Sequence, residues 1–192
     1  MRTVWRRVTT PGTAGVRIIG IDPGLANVGY GVIQHDRNKS CLLAAGTITT
    51  PSTMETAQRL KQIHDGLAAV IETWQPSIAA LEDLFFCTNV RTAIAVAQGR
   101  GACILATANS GIILAEYTPL QIKMAVTGYG RATKQQVEKM VRVVLAQQEG
   151  VWSNHAADAL AVALCHAHSM HFKVLATAAG APLPARGKRK WR

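Results

Sequence analysis

The sequence contains no apolar run near the roughly 18 residues that a membrane-spanning helix needs. Arg2, Arg6 and Arg7 stand near the start without an apolar core behind them, so a secretory signal is not expected there. Cys41, Cys87, Cys103 and Cys165 are scattered and form no CxxC pair. A reducing cytoplasm, with cysteines serving as small apolar residues, is therefore the expected setting. No internal repeat is visible. Acids are few: 11 Asp and Glu against 21 Lys and Arg leave a net charge of +10, which points to a polyanionic partner.

What is present is a 192-residue chain, 48% hydrophobic, long enough to bury one sizeable core without staples. Residues 1–16 are expected to form a flexible extension, 17–170 one domain, and 171–192 a flexible basic tail. All eleven acids and twelve of the basic residues lie between positions 16 and 172, so that body is close to neutral. Within it, 18–83 hold four basic and seven acidic side chains, whereas 84–148 hold seven basic and two acidic. This polarity suits an acidic metal-binding pocket beside a phosphate-binding face, and equally a well-solvated surface.

The chain is organised around Arg17 to Val32, RIIGIDPGLANVGYGV. Ile18 to Ile21 fits a buried strand bounded by turn residues. It ends on Asp22 and meets Pro23-Gly24, a pair suited to a type II turn because Gly accepts positive φ. Strands are predicted at about 17–22, 28–35 and 41–49, with a polar turn from His35 to Ser40. Leu60, Ile63, Leu67, Val70, Ile71 and Trp74 mark the stripe of a long amphipathic helix that Pro76 stops. A short buried strand, Ser77 to Leu81, then ends on Glu82. Arg91 to Asn109 is Ala-rich and helical despite Gly99 and Gly101, and its small residues suit close contact within the fold or with a second subunit. Ile112 to Glu116 is a further strand, and Pro119 opens a short helix with Gln121 and Lys123. GYGRATKQQ is a Gly-rich basic loop leading into a helix from about Thr133 to Ala146, and the last helix runs from about Asn154 to Met170. Three strands followed by helix–strand alternation predict an α/β fold: a mixed sheet, three antiparallel strands then two parallel, with helices on both faces.

Asp22 and Glu82 each terminate an apolar strand, and parallel neighbours would bring both carboxylates to one sheet edge. His155 and Asp158 lie three apart on the last helix and share a face. Oxygen donors with one nitrogen donor and no thiolate select Mg²⁺ or Mn²⁺ over zinc. Two such ions would activate water and stabilise the leaving oxygen of a phosphodiester. Each piece alone has a plainer reading: Asp22 as a turn cap, His155 and Asp158 as helix-surface residues, and Asp83 as a solvated neighbour of Glu82. Phe85-Phe86 suits core packing, although in a loop after an acid one ring could stack on an unpaired base. Lys123, Arg131 and Lys134 suit either a solvated face or phosphate clamping beside the acids.

The blocks IGIDPGLANVGYGV, ALEDLFF, AQGRGA and NHAADALAVALCHAH together resemble the bacterial RuvC family of Holliday-junction resolvases, in order and spacing, over about Arg17 to His168. The resemblance implies a ribonuclease-H-like fold, a homodimer, and paired nicks across a four-way DNA junction, using Mg²⁺ with Mn²⁺ as a substitute. It implies two ions per site, held by the catalytic residues Asp22, Glu82, His155 and Asp158. His155 is a departure, standing where an acid is common in the family. Phe85 matches an aromatic associated with junction distortion, Lys123 and Lys134 match basic residues that handle DNA, and Asn89 and Arg131 are grouped with them as DNA contacts. RuvA and RuvB, the branch-migration proteins, are the implied partners. Three other readings stay in view: a ribonuclease-H-like nuclease acting on RNA/DNA hybrids, a non-catalytic junction binder, and a phosphate-loop ATPase. The last is disfavoured because no second Gly-rich phosphate loop precedes a helix.

Overall fold

The computed structural model describes residues 15–83, 90–147 and 152–178, the side chains of Arg91 and of 171–178 excepted. Strands β1 (Val16–Asp22), β2 (Asn27–Asp36) and β3 (Lys39–Thr49) follow one another as an antiparallel meander. Helix α1 (Thr56–Trp74) then crosses over to β4 (Ile78–Glu82), and α2 (Val90–Asn109) crosses to β5 (Ile113–Tyr117). Both crossovers return parallel, giving one sheet in the order β3-β2-β1-β4-β5. Helices α3 (Pro119–Thr127), α4 (Lys134–Val144) and α5 (Asn154–Ala178) follow as the last elements among the described residues. The expected mixed sheet is present, and α5 runs beyond the expected end at Met170, so residues 171–178 continue that helix instead of joining the tail.

Alternation in the strands divides the core into two layers. Ile19, Ile21, Val28 and Val32 face α1 and α2, where Ile63, Leu67, Ala102, Cys103 and Ala106 close over them. Ile18, Ile33 and Ala80 face the other way, against Leu160, Leu164, Val137 and Val141 of α4 and α5. Helix α1 stops at Gln75, which takes a left-handed φ of 47° ahead of Pro76. Thr118 and Thr133 open α3 and α4 with capping boxes closed by Gln121 and Gln136, satisfying amide donors that a helix start otherwise leaves free.

One expected local feature is corrected. Gly24 does not adopt positive φ, so Pro23-Gly24 is not a type II turn; the bend falls on Leu25 and Ala26. Glycine is required there by crowding instead, since a Cβ at position 24 would come within 2.5 Å of the Asn27 carbonyl oxygen.

The placement of α5 governs the rest. A Cβ on Gly20 would sit 1.9 Å from the Ala159 carbonyl oxygen, and one on Gly29 would sit 2.0 Å from that of His155. The helix therefore rests on the backbone of β1 and β2, closer than any side chain permits.

Candidate metal centre at the strand ends

The parallel register of β1 and β4 pairs Ile21 with Leu81, so Asp22 and Glu82 leave the sheet side by side at its carboxyl edge. The seating of α5 on Gly29 then brings His155 over the same edge. His155 Nδ1 lies 2.9 Å from Asp22 Oδ2. With the ring proton on Nδ1, histidine donates to the carboxylate and keeps the Nε2 lone pair for a cation. Donor atoms of Asp22, His155 and Asp158 all fall within 4.8 Å of one another. Of the four residues expected to share one centre, Asp22, His155 and Asp158 come together, and Glu82 is not within that 4.8 Å set.

Glu82 nonetheless feels the centre. Burial, with the charges of Asp22 and Asp158 added, pushes its carboxyl up to about 7, against the pull of Lys134 and Lys123. Burial also raises Asp158, partly offset by the hydrogen bond and charge of Lys134. Lys134 Nζ donates to Asp158 Oδ2 at 2.5 Å. Burial works against that ammonium, but the bond and charge of Asp158 outweigh it and hold Lys134 above its ordinary value. The charge of Asp22 helps raise Glu82 and Asp158, and these carboxylates with an imidazole beside them form a donor set matched to a hard divalent cation.

A pH prediction follows from Glu82. Its folded value lies above its ordinary 4.5, so between about 4.5 and about 7 the folded chain holds a proton that the unfolded chain has released. Without divalent metal, stability is expected to fall as pH rises through that window, by on the order of 3 kcal/mol. Thermal melts in chelator across pH 4–8 measure this, and Glu82→Gln should flatten the profile.

The remaining expected residues divide. Lys123 lies close enough for its charge to act on Glu82. Arg131 is exposed on the α3–α4 loop, and it is Lys134 that reaches the carboxylates. Phe85 and Asn89 lie outside the described residues. Asp83, expected to be solvated, is 8% exposed; its amide donates to the Tyr117 carbonyl at 2.8 Å, and Arg100 Nη2 lies 3.5 Å from its Oδ1. That cation and the parallel β5 beside it are why an acid tolerates burial here. Sequence reading passed over Gly20 and Gly29, although a glycine inside a strand is a signal of close backbone approach.

A meander joined to two parallel crossovers, helices on both faces, and carboxylates from two strand tips and one helix define a ribonuclease-H-like nuclease fold. The family model for "Crossover junction endodeoxyribonuclease RuvC" matches residues 18–166. Curated relatives of that name include one from Heliobacterium modesticaldum, 50% identical over 82% of this chain and 97% of its own, and one from Alkaliphilus metalliredigens, 48% identical over 82% and 96%. The structure of Thermus thermophilus RuvC in complex with a Holliday junction substrate superposes with a TM-score of 0.78 at 33% identity, covering 82% of this chain and 96% of that one. The yeast mitochondrial Holliday junction resolvase Ydc2 shares the fold alone, with a TM-score of 0.65 at 12% identity. The chain belongs to the RuvC family of crossover junction endodeoxyribonucleases.

Proposed function

We propose that this chain resolves four-way DNA junctions by paired hydrolytic nicks, with Asp22, Glu82, His155 and Asp158 holding two Mg²⁺ ions. The convergence of Asp22, His155 and Asp158 within 4.8 Å carries the reading. Such ions, when bound, supply an activated water and offset charge on the leaving 3′ oxygen, giving 5′-phosphate and 3′-hydroxyl ends. The chain's own residues orient and neutralise. Asp22 holds the His155 ring by the 2.9 Å contact, fixing which nitrogen faces outward. Lys134 is half exposed, so its bond to Asp158 is weakly held, and the ammonium can move to a substrate phosphate. Lys123 adds a second cation beside Glu82. Incubating the chain with a mobile four-way junction and Mg²⁺ or Mn²⁺, then mapping both nicks, tests the reading; symmetric ligatable cuts support it, and uncut junction with either metal defeats it.

Lys134→Ala should weaken junction binding about equally across sequences and lower the salt slope of log K by about one, as expected for one lost phosphate contact. Filter binding across a salt series measures it. Arg131, in the loop before Lys134, and Phe85 and Asn89 are assigned to the DNA surface on the family pattern.

Two symmetric cuts require two sites, hence a dimer. Helix α2 supplies a face: Val90, Ile94 and Leu105 are 70%, 54% and 54% exposed, and Gly101 between the last two has open space around it. These positions recur along one helical stripe. Ile94→Glu with Leu105→Glu should give a monomer in sedimentation and end paired cutting. RuvA and RuvB are assigned as partners on family grounds.

A further inference from the structure

One turn of α2 touches the chain immediately after both strand-end acids. Gly99 lies against the loop that follows Asp22: a Cβ there would come within 2.6 Å of the Gly24 carbonyl oxygen and 2.9 Å of the Leu25 nitrogen. Its neighbour Arg100 lies 3.5 Å from Asp83, the residue after Glu82, and donates to Glu116 Oε1 of β5 at 2.6 Å. The Arg100 side chain is 12% exposed. Among the described residues its buried Nη1 has no hydrogen-bond partner. The Arg100–Asp83 pair is buried while Glu116 is 43% exposed, and apolar replacements of a buried pair are often neutral or better. Arg100 offsets the buried charge of Asp83, but net stability does not demand that the two stand here as a pair. Alignment does: one nitrogen, Nη2, reaches both the carboxylate just past the end of β4 and one on the parallel neighbour β5, at the point where β4 delivers Glu82.

We propose that Arg100 is a positioning residue for the metal centre, clamping Asp83 and Glu116 so that the end of β4 holds the Glu82 carboxylate in register with Asp22 and Asp158. The inference rests on those acids forming the metal centre, as read above. Arg100 does not touch the metal ligands; it acts through the backbone between Asp83 and Glu82. Because α2 also carries the exposed Ile94 and Leu105 stripe, the same helix joins that face to both catalytic strand ends.

The test is a double-mutant cycle on the full chain: Arg100→Lys, Asp83→Asn and the pair together. Mn²⁺ binding is read by electron paramagnetic resonance, junction affinity in chelator, the melting temperature, and kcat and KM for nicking. Lysine keeps the charge but is shorter and lacks the rigid planar head that sets Nη2 between the two carboxylates, so Arg100→Lys should bind Mn²⁺ about 10-fold more weakly, the usual scale for residues that orient ligands. kcat should fall while KM and junction affinity stay at wild-type values. The double variant should lose no more than the worse single variant, because both break one linkage. Wild-type Mn²⁺ affinity and kcat in Arg100→Lys, whether or not melting is lowered, would overturn the proposal, as would fully additive losses. If Arg100→Lys does not fold, Asp83→Asn alone decides, and unchanged Mn²⁺ affinity there overturns it. Asp22→Asn serves as the separate control: if it binds Mn²⁺ like wild type, the metal-centre reading fails independently of any Arg100 result.

Discussion

Asp22→Asn is expected to slow junction nicking by on the order of 10³-fold while leaving junction binding within about two-fold. The substitution keeps the size of the side chain and an oxygen able to accept from His155, which lies 2.9 Å away. What it removes is the charge that a hard divalent cation needs, and several kcal/mol of barrier lowering with it. Binding is spared because DNA affinity comes from neutralised phosphates, and Asp22 is not among the cations that would contact them. Losing a negative charge beside Lys134 should, if anything, tighten binding slightly. Nicking assays and gel-shift titrations on the same preparation separate the two quantities, and wild-type cutting by this variant would remove Asp22 from the mechanism.

The second large effect is predicted at a residue with no side chain. Gly29→Ala places a Cβ about 2.0 Å from the His155 carbonyl oxygen. That oxygen belongs to a helix backbone, which cannot rotate aside as a flexible side chain would. Either α5 lifts or β2 bends, and overpacking of this kind costs about 3 kcal/mol or more, near 10 °C in melting temperature for a chain this size. Any protein that folds around the change carries His155 displaced from Asp22, so Mn²⁺ binding and nicking should both fall. Ala at Gly101, where no described residue of the same subunit lies within 4 Å, is the matched control for the seat of α5: whatever it does at the α2 face, it should leave Mn²⁺ binding at the wild-type value. Calorimetric melts of Gly29→Ala, with Mn²⁺ titrations of both variants, make the comparison.

The topology was legible because it follows from period and punctuation. Ile18 to Ile21, Leu81 before Glu82, and the stripe from Ile63 to Ile71 each have the spacing of the element they form, and the capped starts at Thr118 and Thr133 fall within a residue or two of expectation. Strand ends and helix spacing grouped Asp22 with His155 as donors to one centre, but nothing local in either segment reports the direct contact made 133 positions away. Asp83 was misread for a related reason: its neighbour Glu82 is also acidic and the run looks solvated, whereas burial is decided by Arg100, contributed by the next helix. The turn at Gly24 failed differently. Its glycine is demanded by the Asn27 carbonyl pressing on it, a steric cause that leaves the same residue in the sequence as a positive φ does.

A helix seated on bare main chain has no slack, and this determines which changes the centre can absorb. At Gly29 the closest atoms of residue 155 are its carbonyl oxygen and carbon, at 2.0 and 2.4 Å, with its Cβ at 3.1 Å. None of these three nearest atoms belongs to the ring. Exchanging His155 for a carboxylate should therefore alter ion preference without shifting the helix, so the donor type at this corner can be retuned separately from the scaffold that presents it.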